Sequence, residues 1–233
     1  MNNIPIRVLL YKAAVDGRPI DDLIAGWTWT WNFWRRWKLT PDKRAMLHRW
    51  SHAELWTPNI SGGFEQAGRY CGDCWTSTMG ALRDPDSEET SGTVRRPAAE
   101  ILRHPDRWSV SDDLLLPEPV YNDLLGYMDA KVKSNKGYDR KAIYSFLTPW
   151  RFHSLNKEIC SEHVHDNLLY AAMALTMHSI VHPVGIDSAN CRKLDDYGKN
   201  YAEPAVPSPL LLGIHLILIG IKFRDLICQQ RLV

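Results

Sequence analysis

Cys160 stands in the run Ile159-Cys160-Ser161-Glu162-His163-Val164, where a polar stretch gives way to an amphipathic one. A thiol in the first turn of a helix feels the positive end of the helix dipole and meets backbone N–H groups that have no partner within the helix. Both favour the thiolate, the nucleophilic form of cysteine. The same N–H groups are suited to stabilising an oxyanion. The competing reading is a buried structural thiol, since free cysteines are usually buried.

A nucleophilic thiol needs a base and a group to orient that base. His52, in Ser51-His52-Ala53-Glu54-Leu55-Trp56, opens an alternating polar–apolar segment. An imidazole at a strand end can lie over the terminus of a neighbouring helix. His163 and His165 are competing bases. They are so close to Cys160 in sequence that a helix puts them on poorly placed faces for proton transfer. His163 ranks second and His165 lower. For the orienting group the candidates are Glu54, two positions from His52 on one strand face, and Thr76, Ser77 and Thr78 on the next strand. A solvated strand face is the plain alternative for all four.

Cys71-Gly72-Asp73-Cys74 is a single C-x-x-C without a second pair, and a structural zinc site needs four ligands. His178 and His182 have the spacing of a ligand pair but lie far downstream. The motif is therefore read as structural, with no metal. Five cysteines at irregular spacing argue against a disulfide framework and for a reducing compartment. No Gly-rich phosphate loop, Gly-x-Ser-x-Gly elbow or His-Glu-x-x-His run is present, so nucleotide-dependent, serine-hydrolase and zinc-protease chemistry have no motif, and no cofactor is expected.

These residues must be held by a chain of 233 residues, 45% hydrophobic and 24% charged, with a net charge of +1. That is ordinary for a globular protein, and no global field recruits nucleic acid or membrane. The start, Met1 to Lys12, lacks the marks of a signal peptide. The longest apolar run, Pro209 to Ile221, is shorter than the ~20 residues of a membrane span. Ile6 to Tyr11 predicts a strand, Asp21 to Trp27 a helix start, and His52 to Thr57 and Arg69 to Met79 a strand hairpin. Pro97 to Arg103 predicts a short helix, and Trp108 to Leu116 one further strand. Helices are expected at Pro117 to Ser134, Tyr138 to Leu147, Cys160 to Met177 and Pro209 to Leu226, with loops over residues 83 to 93 and Gly185 to Val206. The order predicts an α+β fold, a central antiparallel sheet packed on helices, in one domain over residues 1 to 233.

Ten tryptophans are many for this length, and five of them fall between Trp27 and Trp37. Arg35, Arg36, Lys38, Lys43, Arg44 and Arg49 follow or interleave them. The segment from about residue 27 to 50 reads as an exposed loop or insertion. Stacking on nucleic acid, packing on sugar rings or on another subunit, and an aromatic core helix followed by a loop are the alternatives.

Four runs, Ser-His-Ala-Glu-Leu-Trp at 51 to 56, Cys-Trp-Thr-Ser-Thr-Met at 74 to 79, Gly-Tyr-Asp-Arg-Lys-Ala-Ile at 137 to 143 and Ile-Cys-Ser-Glu-His-Val at 159 to 164, together resemble the circularly permuted NlpC/P60-like cysteine hydrolases, phage and prophage members above all. Ser-Pro-Leu-Leu at 208 to 211 also resembles a run that often follows the Cys helix in that family. The resemblance implies a permuted papain-like fold with Cys160 at a helix N-terminus as nucleophile and His52 as base. It puts the third catalytic position at Ser77 or Thr78, where a clear Asn, His or Gln is missing, and substrate contacts at Ser161, Glu54, Trp56 and Tyr138. It implies amide hydrolysis in peptidoglycan stem peptides, or another amide or acyl substrate. The expected location is the cytoplasm of an infected bacterial cell, or the virion. The alternative is a phage virion or assembly protein that keeps the fold, with the Trp-rich segment as a protein interface. Nucleic-acid binding is not expected.

Overall fold

The structure, a computed structural model, describes residues 2–13, 19–59, 63–79, 91–134, 137–139, 142, 157–181, 189–201 and 208–226. Strand β1 (Asn3–Lys12) leads into helix α1 (Pro19–Trp31), two short helices α2 (Phe33–Trp37) and α3 (Pro41–Ala45), and strand β2 (Trp50–Thr57). Four strands follow: β3 (Glu65–Gln66), β4 (Arg69–Tyr70), β5 (Asp73–Thr78) and β6 (Gly92–Pro97). Helix α4 (Ala98–Ile101) precedes β7 (Trp108–Ser111) and β8 (Leu114–Pro117), and α5 (Glu118–Ser134) precedes the short pair β9 (Gly137–Tyr138) and β10 (Lys157–Glu158). The long helix α6 (Cys160–Val181), then α7 (Ala189–Tyr201), α8 (Pro209–Leu218) and β11 (Phe223–Asp225) complete the described chain.

The fold is α+β around a seven-stranded antiparallel sheet in the order β11-β7-β1-β2-β5-β6, with β8 also paired to β1. β1 is central and buried on both faces, which is why its sequence is a continuous apolar run rather than an alternation. Val8, Leu10, Ala53, Leu55 and Trp75 pack on one face against Leu124 and Met128 of α5, Val164 and Leu168 of α6, and Leu212 and Leu216 of α8. Leu9, Tyr11, Trp56, Cys74, Trp108 and Val110 form the core of the other face, covered by Ala98 and Leu102 and by Phe64. Among the described residues no helix is long and apolar enough to cross a membrane.

Several expected elements differ. The strand expected over Arg69 to Met79 is interrupted at Cys71-Gly72, giving β4 and β5. The strand expected over Trp108 to Leu116 is two strands. Both pair with β1, at residues 9–11 and 3–6, and the polar corner Ser111-Asp112-Asp113 lies between them. There the Ser111 hydroxyl accepts the Val8 N–H at 2.9 Å, and Asp113 pairs with Arg7. The β6 strand lies at the end of what reads as a loop, Arg-rich and without apolar alternation. Tyr138 belongs to a strand rather than a helix; residues 143 to 147 lie outside the described residues. The residues 35 to 49 hold short helices rather than one loop.

Within Gly185 to Val206, expected as a loop, Ala189–Tyr201 is a helix. Among its described side chains Leu194 and Tyr197 are fully buried and the rest are partly or fully exposed, so its apolar stripe is too narrow to stand out among charged neighbours. The apolar C-terminal helix ends at Leu218. Ser208 caps its start, accepting from the Leu211 N–H, with Pro209 in the first turn. At its end the Gly220 N–H bonds the Ile217 carbonyl and the Ile221 N–H bonds the Leu216 carbonyl. Gly220 has φ +87°, so it closes a Schellman cap and frees the chain to enter β11.

Candidate active site

Strand β2 is buried along its whole length, and its alternation sorts its polar residues. Ala53 and Leu55 face α6, whereas His52, Glu54 and Trp56 face the other core. His52 Nε2 lies 3.1 Å from Glu54 Oε1, and Arg96 Nη2 lies 2.5 Å from the same oxygen. Thr76 Oγ1 is 3.4 Å from His52 Nε2 and donates to the Ala53 carbonyl at 2.8 Å. The threonine proton is committed to that carbonyl, and an ionised Glu54 only accepts. Opposite an ionised Glu54 this arrangement suits the tautomer with its hydrogen on Nε2 and its lone pair on Nδ1. The ring packs edge-on to Trp108 at 6.3 Å between centroids. Burial disfavours a charged carboxylate here, and the Arg96 guanidinium alongside offsets that cost for Glu54.

Cys160 is the first residue of α6 and is 3% exposed. The residue before it, Ile159, has no side-chain acceptor to offer the first-turn amides. Glu162 reaches back instead, Oε2 accepting the Ile159 N–H at 3.3 Å, which is half of a capping box. Burial, with Asp166, Glu158 and Asp139 nearby, raises the Glu162 pKa to about 7. The Glu158 carbonyl accepts both the Ser77 hydroxyl at 2.9 Å and the Asp139 N–H at 3.0 Å. Met79 packs with Ile159, Tyr138, Ala142 and Ile24. These contacts fix the start of α6 beside the last residues of β5, with Tyr138 next to it on β9.

The two halves of the site thus reach the same end of the β2–β5 pair from opposite faces of the sheet. Ser77 shares a face with α6, while Thr76 and Thr78 share one with His52 and Glu54. The pairing of β2 with β5 is registered only from Leu55–Thr57 against Asp73–Trp75. Past it, β5 stays paired with β6 as far as Thr78 opposite Gly92, and the Ala53 carbonyl is taken by the Thr76 side chain. Beside His52 the regular β2–β5 ladder thus gives way to a side-chain bond across the same two strands, at the level where α6 begins.

Of the polar residues around His52, the Glu54 carboxylate and the Thr76 hydroxyl lie within hydrogen-bond reach of its Nε2. Ser77 anchors the β10 backbone, Thr78 is buried on the His52 face, and Ser161 is buried in the first turn of α6. Trp56 is wholly buried, its indole N–H donating to the Cys71 carbonyl at 2.9 Å and its ring against Phe64 and Tyr70. The runner-up base, His163, has both ring nitrogens engaged: Nδ1 with Glu158 Oε2 at 2.9 Å and Nε2 with the Asn167 amide at 3.0 Å. Burial pushes its pKa down. His165 is paired at Nδ1 with the Tyr197 hydroxyl. Cys74 is fully buried, and burial together with Glu54 pushes its pKa far up, so it is an inert thiol. Cys71 donates to the Gly63 carbonyl.

Two charged residues escape a reading by motif. Arg96 anchors Glu54, and only its placement in a strand reveals this. Lys131 is 6% exposed, its Nζ 2.9 Å from Glu158 and 3.3 Å from Asp166. Its signal is legible: Leu124, Met128 and Lys131 share one helical stripe, and a lysine on an apolar stripe implies a buried partner. A cleft of about 530 Å3, lined by residues including Thr57, Asp73, Arg95 and Tyr121, lies at the other end of the β2–β5 pair. Among the described residues no group of three or more His, Cys, Asp or Glu side chains is placed to hold a metal ion.

No family model, curated protein or solved structure matches the chain.

Proposed function

We propose that this chain is a thiol hydrolase that cleaves an amide bond, with Cys160 as nucleophile and His52, held by Glu54, as base. The observation that carries the reading is the buried His52–Glu54 pair on β2, at the end of the β2–β5 pair where Ser77 ties the start of α6 to the sheet. The placement of a cysteine at the head of a 22-residue helix supports it, since the dipole and first-turn amides favour a thiolate and an oxyanion there. In this reading the fold is a permuted papain-like one of the NlpC/P60 type.

The chemistry runs in two steps. The Cys160 thiolate adds to the carbonyl carbon, the amides of residues 160 and 161 stabilise the oxyanion, and the His52 imidazolium protonates the leaving amine as the C–N bond breaks. Water then attacks the thioester, giving its proton to His52, and the carboxylate and the thiolate are released. Glu54 stabilises the imidazolium in both steps. The resemblance makes a peptidoglycan stem peptide the substrate class.

The test compares wild type with Cys160→Ala and His52→Ala on peptidoglycan fragments and with a thiol-directed probe near neutral pH. New amine termini released by wild type alone, with fast labelling of Cys160 that His52→Ala slows, are the expected results. Equal release by wild type and Cys160→Ala would remove Cys160 from the reaction.

A further inference from the structure

Seven of the large apolar side chains exposed among the described residues are Leu23, Trp27, Trp31, Phe33, Trp34, Trp37 and Leu218. Six of them belong to α1 and α2. The opposite side of α1 is anchored: Ile24, Ala25, Thr28 and Asn32 are buried. The Asn32 amide donates to the Thr28 carbonyl and the Arg36 N–H to the Asn32 carbonyl, so α2 continues from α1 as a fixed extension. The rings therefore cannot turn into the core. α2 buries none of its five residues, Phe-Trp-Arg-Arg-Trp. Trp34 is 74% exposed, Trp37 64% and Trp31 63%. Trp27 stacks on Trp31, and Phe33 packs on Trp34 and Trp37.

The charges standing among these rings are cationic, while the exposed Asp22 and Asp42 lie at the two ends of the segment. Residues 23 to 41 contain no Asp or Glu, and Arg35, Arg36 and Lys38 stand among the rings. The Arg36 guanidinium covers Trp29 at 3.8 Å, and Arg44 lies over Trp37 at 5.6 Å.

We infer that the α1–α2 ridge is a docking surface for an anionic lipid membrane, entering the headgroup layer without spanning it. Complementarity of charge selects this occupant: indoles collect at the level of lipid headgroups, and arginines and lysines beside them meet lipid phosphates. A dry protein interface would have to supply an acceptor for every buried indole N–H, whereas the wet headgroup layer supplies carbonyls, phosphates and water without a fixed pattern. A purely electrostatic contact would not need the apolar residues at 23, 27, 31 and 34, which follow the turns of one helix face. The inference is independent of the thiol chemistry.

The experiment is flotation of the full chain with vesicles of phosphatidylglycerol mixed with phosphatidylcholine, against vesicles of phosphatidylcholine alone. Flotation with the anionic vesicles that weakens with salt is expected. Arg35→Gln with Lys38→Gln should weaken it about 5-fold for each charge removed. The triple variant Trp31→Ser, Trp34→Ser, Trp37→Ser should lose it while keeping the wild-type circular dichroism and melting temperature, since these rings support no core. Cys160→Ala should float as wild type does. Absence of flotation, or flotation undiminished in the triple variant, overturns the inference. So does lipid-free self-association, or single-stranded nucleic-acid binding without vesicle binding, abolished by the triple variant.

Discussion

The imidazole of His52 and the carboxylate of Glu54 stand on one face of one strand, 3.1 Å apart and screened from solvent. The strand period of two alone makes residues i and i+2 neighbours, so the pair needs no long-range folding event to form. Glu54→Gln keeps the shape and removes the charge that stabilises an imidazolium. Hydrolysis and Cys160 alkylation are both expected to fall on the order of 100-fold. Rates measured across pH check this, and an unchanged profile would detach Glu54 from the thiol.

Lys131, Glu158 and His163 form a buried polar network at the base of α6, with the partly exposed Asp166 at its rim. Lys131→Met strands a carboxylate in the core and is expected to cost about 3–5 kcal/mol in urea unfolding. Adding Glu158→Gln should return a part of that loss, because the orphaned charge is gone. A double variant no more stable than the single one would contradict the pairing.

The two carboxylates flanking Cys160 titrate in opposite senses. Burial alone would raise Glu158, but His163 and Lys131 bring its pKa down to about 2. Its contribution to stability is present above the ordinary Glu range and is lost as pH falls toward 2. Glu162, raised to about 7, stabilises the folded chain fully only below the ordinary Glu range and loses that contribution as pH rises through 7. Glu162→Gln keeps an acceptor for the Ile159 N–H and avoids the buried charge. It should stabilise the protein on the order of 1–2 kcal/mol at pH 8, allowing for partial solvent screening, and by little at pH 4. Thermal melts at the two pH values check it.

Gly213 and Gly126 test packing against propensity. Both lie inside helices, where alanine is favoured by about 1 kcal/mol. A Cβ at Gly126 meets nothing within 4 Å, so Gly126→Ala should stabilise α5 by about that amount. A Cβ at Gly213 runs into the ring of Trp50, whose indole N–H is tied to Ser109 at 3.2 Å and which is wholly buried. Gly213→Ala should destabilise by about 1–3 kcal/mol or more, since overpacking outweighs propensity there. Equal effects of the two substitutions in urea unfolding would be inconsistent with this packing.

The sequence made the elements with strong period or strong caps legible: β1, β2, α5, α6 and the start of α8. The Cys160 helix and the His52 strand were visible for that reason. What stayed hidden depends on pairing or on weak periodicity. β6 and β11 carry little alternation of their own and are strands because β5 and β7 present open edges. α7 hides Leu194 and Tyr197 among charges. Glu54 was one of four candidates beside His52, and the contacts of Arg96 and Thr76 with this pair depend on strand pairing; neither the bulge near Lys12 nor the Thr76–Ala53 bond is written in a local pattern.

The last described strand, β11, lies beside β7 at the edge of the sheet, with Phe223 opposite Ser111 and Asp225 opposite Ser109. During synthesis β1, β2, β7 and β8 are all made long before residue 223. The nascent sheet therefore carries β7 as an unpaired edge for more than a hundred residues of elongation, and contacts of such long sequence separation form slowly. An unpaired edge strand is a template for pairing between chains. In a chain stopped before β11 the open edge of β7 is where pairing between chains would begin.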